Sequence, residues 1–311
     1  MKDTLLLTGF GYEAEICAQR GANLVALRKP ELGMDVLRTP RTLDTFFQTN
    51  PYLWGIPILF PPNRISGACF EFERREYRFP MNEPEIGNFI HGVLHETALP
   101  CIRSSPTEAE FLFDADETHP YMTFPHAFQM RVLYRLTPDG IQQRISITNC
   151  SASNMPVALG FHTTFRLPFV SEGDVQDVRL CLGVEREYVR NMETFLPTGE
   201  VLSEFPLRSA LLEGTVVPAN HTLSRHYDMD SSRRMILKDA AKHMQIVYQA
   251  DESYRFWMVY NGGSKDFLCV EPQTWLNNCP NAPFDRKAMG FRFICPGQTH
   301  TYKTSISLQR T

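Results

Sequence analysis

The chain has 311 residues, 43% hydrophobic and 21% charged, with a formal net charge of −4 and a pI near 6.2. These are values of an ordinary globular protein, without the basic footprint that nucleic acid or an anionic membrane surface requires. No run approaches the roughly 18 apolar residues of a membrane helix, and the first residues have too short an apolar core for a signal peptide. The expected setting is therefore the cytoplasm, with no membrane or nucleic-acid partner, and the eight cysteines, scattered without Cys-x-x-Cys pairs, read as free thiols.

In chain order, Gly9-Phe10-Gly11-Tyr12-Glu13-Ala14 fits the dinucleotide pattern G-x-G-x-x-A. That fingerprint requires a helix next. Here Ala14, Ile16 and Ala18 alternate with Glu13, Glu15 and Cys17, which predicts a strand and makes the glycines a hairpin turn. Arg41 to Gln48 is a candidate helix. His91 and His95 have i, i+4 spacing, but Gly92 and the branched residues around them argue against the helix that would make them a zinc pair. They read instead as a loop or strand edge with one His in a cleft. Asp114, Asp116, Glu117 and His119 read as a solvated acidic loop, with calcium as the alternative.

Period-two alternation governs the rest. Phe128, Met130, Val132, Tyr134 and Leu136 share one strand face, the turn Thr137-Pro138-Asp139-Gly140 follows, and Ile141 to Thr148 returns. Leu207 to Leu212 is a second short helix. Met244 to Tyr248, Phe256 to Tyr260, Phe267 to Val270, Met289 to Ile294 and Thr301 to Leu308 are further strands, the last two around Pro296-Gly297-Gln298. No linker, charge block or repeat divides the chain. The expectation is all-β: one large antiparallel β-sandwich domain over residues 1–311 with few short helices.

Chemistry gathers at a few places. Glu271 follows the apolar run Phe267 to Val270, and Pro272 is expected to end the strand there, leaving the carboxylate on the sheet rim facing a cavity. Trp275 nearby would offer a sugar ring an apolar face. His162, in Gly160-Phe161-His162-Thr163-Thr164-Phe165, is a core residue or a cleft imidazole, and Arg64, after Pro61-Pro62-Asn63, is well fixed for gripping hydroxyls.

The order Asn63-Arg64, His91-Gly92, His162 with Phe165, then Glu271-Pro272-Gln273 resembles the aldose 1-epimerase (galactose mutarotase) family, and the likeness extends over most of the chain. The resemblance implies a β-supersandwich enzyme, an isomerase that needs no cofactor and no metal and interconverts α and β anomers of a small-molecule sugar. It implies Glu271 as base at the anomeric hydroxyl and His162 as acid at the ring oxygen. His91, Arg64, Asn63, Gln273 and Trp275 would hold or line the sugar. The family also carries an Asp in a segment resembling Asp-x-x-Phe; Ser224 to Asp230 corresponds loosely, and Asp228 is the residue assigned to it. The sugar's identity, its phosphorylation and the choice between monomer and homodimer stay open. A non-catalytic sugar binder or sensor on the same scaffold, and a hexose-6-phosphate mutarotase, are the alternatives.

The chemistry has independent requirements. Anomer exchange needs a base at O1 and an acid at O5 of one bound molecule. From ordinary side-chain values, a neighbouring carboxylate would keep His162 charged. The acidic limb of the rate would then belong to Glu271 and the basic limb to His162. A glycosidase would need two carboxylates across the bond, and these motifs supply one.

Overall fold

A computed structural model describes residues 4–42 and 50–311. Two eight-stranded antiparallel sheets dominate. The first runs, in spatial order, Cys101–Ser105, Glu108–Ala115, Phe128–Thr137, Gly140–Asn149, Thr299–Arg310, Met244–Ala250, Arg234–Asp239 and Val178–Leu182. The second runs Pro197–Leu202, Val184–Arg190, Ser224–Met229, Phe256–Tyr260, Phe267–Gln273, Gly160–Phe161 and Ile58–Leu59, with Thr164–Arg166 also paired to Phe267–Gln273.

The sheets face each other because each strand alternates. Phe128, Met130, Val132, Tyr134 and Leu136 are all buried in one core with Trp257, Val259, Leu268 and Val270 of the second sheet. Tyr248 joins the layers: its ring centroid lies 6.1 Å from that of Trp257 and 5.9 Å from that of Phe165, and its hydroxyl is 3.0 Å from Thr163 Oγ1. The outer face of the first sheet carries Ser146–Thr301 and Thr148–Thr299 hydroxyl pairs instead. This is the antiparallel sandwich expected from the periodicity.

Gly9 closes strand Leu5–Gly9, Phe10 and Gly11 turn with φ of 55° and 77°, and Tyr12–Cys17 returns. Two successive left-handed residues are what a two-residue hairpin demands, so the glycines serve a turn. Arg208–Glu213 forms the one α-helix among the described residues; the helix expected over Arg41 to Gln48 falls largely outside the described residues. No helix among them is long and apolar enough to cross a membrane, and all eight cysteines are free.

The strand expected to stop before Pro272 does not. Phe267–Gln273 continues through it, with Trp257 opposite Pro272. The reason lies on the other side of the strand. Val270 N–H donates to Thr163 O and Thr274 N–H to Leu159 O, and Pro272 sits between them. There the flanking chain breaks into Gly160–Phe161 and Thr164–Arg166. Proline falls where the ladder is already interrupted and asks for no donor.

Candidate active site

Directly opposed residues of antiparallel strands point to the same face, and of three such rows Glu271, Met258, Ser224 and Tyr260 reach the floor of a cleft. Tyr188, His226, Met258 and Glu271 form one continuous row; Ser224, Tyr260 and Cys269 the next on one side; Asp228, Phe256 and Gln273 the next on the other. The alternation that buries Leu268 and Val270 in the core turns Cys269, Glu271 and Gln273 onto this outer face. His162 is aimed the same way because its neighbours face the core: Phe161 packs near Tyr254, and Thr163 bonds Tyr248.

The cleft has a volume of about 600 Å³ and is walled by Tyr52, His91, His95, Arg64, Glu83, Phe195 and Arg190 as well as His162 and Glu271, within the roughly 300–1,000 Å³ of small-ligand sites. Glu271 is 1% exposed and His162 7%. His162 Nε2 lies 3.3 Å from Glu271 Oε1, and Gln273 Nε2 donates to Glu271 Oε2 at 3.2 Å. The two groups expected to converge therefore touch.

Asn63 and His91 flank one end of a short two-stranded ladder, Arg64–Ser66 with Asn88–Ile90. Asn63 N–H donates to His91 Nδ1 at 3.1 Å, and His91 N–H to Asn63 O at 3.2 Å. With Nδ1 accepting, the neutral imidazole carries its proton on Nε2. Both residues are left-handed, at φ of 60° and 67°, a conformation that costs a non-glycine residue free energy and often marks functional sites. Gly92, at φ 68°, must be glycine: a Cβ there would lie 2.1 Å from Phe60 O. Arg64 is held by Glu83, Nε and Nη2 donating to its carboxylate at 2.7 and 2.8 Å.

Electrostatics depart from the simple expectation. Burial drives His162 down to about 3, with His95 adding to the fall. Burial likewise raises Glu271 well above the usual carboxylate range, opposed in part by Gln273, Arg190 and Arg64. Burial thus favours protonated Glu271 beside neutral imidazole, because a dry site disfavours charge on both. His91 is pushed well below 6.5 and His95 to about 4, burial being the main cause for each.

Three expected residues stand elsewhere. Asp228 lies a row beyond Glu271, bound to Arg186 Nε at 2.6 Å and Tyr188 Oη at 3.1 Å, and does not line the cleft; its strand brings Ser224 there instead. Trp275 is buried, its Nε1 donating to Pro62 O at 3.0 Å and its ring against Phe291, so it offers no platform to a ligand. Gln273 is fully buried behind Glu271 and also accepts from Asn63 Nδ2 at 3.3 Å.

Both His91 and His95 face the cleft, where one was expected. The aromatic wall is Tyr52, its ring centroid 4.6 Å from His91, 4.5 Å from His95 and 6.0 Å from His162. Sequence reasoning missed Tyr52, Arg190 and Ser224. Asn50-Pro51-Tyr52 carries only a turn signal, and the phase of Ser224–Met229 groups Ser224, His226 and Asp228 without saying which row meets the cleft.

His162, Cys269 and Glu271 offer ligand atoms within 4.8 Å of one another, the one such group among the described residues. Burial raises the Cys269 thiol well above its usual range, so a cation would first have to displace the thiol proton and the proton of the Glu271–His162 pair. The donor set fits proton transfer better than metal ligation.

Residues 3–307 match the family model described as aldose 1-epimerase. A galactose mutarotase-like protein from Clostridium acetobutylicum is 28% identical, with a TM-score of 0.92 over 99% of this chain and 95% of its own. An aldose epimerase homologue from C. elegans has a TM-score of 0.77 at 16% identity, over 99% of each chain. YphB of Escherichia coli K12, an uncharacterized protein, is 18% identical over 260 residues, 81% of this chain and 83% of its own.

Proposed function

The chain belongs to the aldose 1-epimerase family, and on that footing we propose that it interconverts the α and β anomers of an aldose, with Glu271 and His162 as the reacting pair. The observation that carries this reading is their 3.3 Å contact at the floor of the cleft. O1 and O5 of a pyranose are both bonded to C1, so an acid and a base serving them must stand side by side. Of the other carboxylates lining the cleft, Glu83 is tied to Arg64 by two hydrogen bonds and Glu96 is exposed beside His95, which disfavours a two-carboxylate glycosidase.

Proton bookkeeping gives the mechanism. Protonated Glu271 with neutral His162 holds one proton, as does carboxylate with imidazolium. In the second form Glu271 takes the proton from O1 while His162 gives one to O5; the C1–O5 bond breaks and C1 becomes the aldehyde carbon. Ring opening therefore leaves Glu271 protonated and His162 neutral, the form that burial favours. The reactive form, carboxylate beside imidazolium, is therefore reached by a proton shift within the pair before O1 gives up its proton, and ring opening returns the pair to the form burial favours. Rotation about C1–C2 and closure with the protons returned gives the other anomer.

His91, through Nε2–H, and Arg64 are the hydrogen-bond donors for the sugar; Asn63 positions His91, and Gln273 positions Glu271. The test is anomer exchange, followed by polarimetry or exchange NMR over a panel of aldoses. Catalysed exchange that vanishes in Glu271→Gln supports the reading; binding without exchange by the parent protein makes it a sugar binder instead.

A further inference from the structure

Arg190 is a buried cation without a counter-ion. It ends strand Val184–Arg190, is 8% exposed and lines the cleft. Its Nη2 donates to the carbonyl and the hydroxyl of Ser224. Among the described residues, no carboxylate forms an ion pair with it and its Nε and Nη1 have no acceptor. The contrast with Arg64 is direct, since Glu83 compensates that guanidinium at 2.7 Å. Burying an uncompensated charge is costly, and burial together with Arg64 lowers Arg190 to about 10, which still leaves it charged at neutral pH. Glu271 and Glu187 oppose that fall, but neither forms an ion pair with the guanidinium.

The position of Arg190 relative to the reacting pair is set by the sheet. Its strand lies three strands from that of Glu271, roughly 14 Å between backbones at normal strand spacing. The side chains of both residues line the one cleft, and each acts electrostatically on the other. A sugar with C1 at Glu271 and His162 would point its remote end toward Arg190 and Ser224.

We infer that Arg190 and Ser224 form an oxyanion subsite and that the substrate is an aldose with an acidic group, carboxylate or phosphate, remote from C1. The guanidinium keeps Nε and Nη1 free for an oxygen of that group, and the Ser224 hydroxyl stands beside it. This inference rests on the epimerase reading of the same cleft. The competing role for Arg190 is to tune Glu271 through space, which would affect every sugar alike.

The experiment compares exchange rates for a hexose, the matching hexuronic acid and the matching hexose 6-phosphate. At least one acidic sugar is expected to have a kcat/KM tenfold or more above the neutral one, with a KM that rises with salt. Preference for the uronate identifies a carboxylate, and preference for the phosphate ester a phosphate. Arg190→Gln is expected to lower the acidic-to-neutral ratio 10- to 100-fold, and Arg190→Lys to keep part of it. A neutral hexose exchanged as well as both acidic sugars overturns the inference, as does an unchanged ratio in a folded Arg190→Gln. If that variant does not fold, the parent's preference and its salt dependence decide. Calorimetric binding of an acidic sugar without exchange of any sugar would keep the subsite and overturn the epimerase reading.

Discussion

His162 Nε2 and Glu271 Oε1 stand 3.3 Å apart on one face of a sheet, each held nearly dry and each driven by burial toward its uncharged form. The pair works as a unit with one proton, and its chemistry belongs to both residues.

Glu271→Gln keeps the side chain's shape and its neighbour Gln273 but cannot accept a proton from O1. Exchange should fall about 10²–10⁴-fold, the usual contribution of a general base, while the sugar still binds and the protein still unfolds cooperatively. Polarimetry on the purified variant checks this; a variant as fast as the parent ends the assignment.

The pH profile should be broad. The active pair holds one proton. A second proton would go onto His162, near pH 3, so the acidic limb belongs to His162. Losing the only proton is governed by Glu271, raised well above 4.5, so the basic limb belongs to Glu271. This reverses the order that ordinary side-chain values give. A half-maximal rate at pH 4.5 on the acid side, shifting in a Glu271 variant and not in His162→Asn, would restore that order.

Gln273→Leu removes the hydrogen bond that holds Glu271 down. The basic limb should move to higher pH, and kcat should fall more than KM rises, because the residue acts through Glu271 without touching the sugar. A plain packing defect would change stability and leave the limb in place.

Asp228→Asn should barely touch exchange, since Asp228 is bound to Arg186 and Tyr188 away from the cleft. Weakening a buried charge-assisted hydrogen bond should cost about 1–3 kcal/mol, visible in urea unfolding. A large rise in KM at constant stability would return Asp228 to the site.

Acid should destabilise the fold early. His95, His126 and His162 are lowered to about 4, 4 and 3, and His91 and His226 are also lowered, in each case chiefly by burial. Below pH 6.5 the unfolded chain takes up protons that the folded one refuses. Stability is lost as pH falls from there toward the folded values, by up to about 1.4 kcal/mol per pH unit for each histidine. Glu271 acts oppositely, its contribution being present below about 4.5 and lost as pH rises through its higher folded value. Urea midpoints from pH 7 to 4 test the slope, and His226→Phe should remove about one histidine's share.

Much was legible from the residues in order. Alternation in Phe128–Thr137 and Gly140–Asn149 gave the sandwich, because a sheet with one dry face imposes period two on its sequence. The same alternation explains why Glu271 and His162 share a face. The family resemblance named them; the fold brings them into contact.

Other features depended on partners distant in the chain. Pro272 reads as a strand end until the break in the neighbouring strand removes the need for its donor. Asp228 and Ser224 lie on the same face of one strand, and only the register with Tyr260 and Phe256 decides which meets the cleft. Trp275 reads as a platform until Pro62 O claims its N–H. Local pattern is written by each residue's own preference for water or core, and the sequence carries that alone; register, burial and the shifted proton affinities arise from neighbours that meet only when the sheets close.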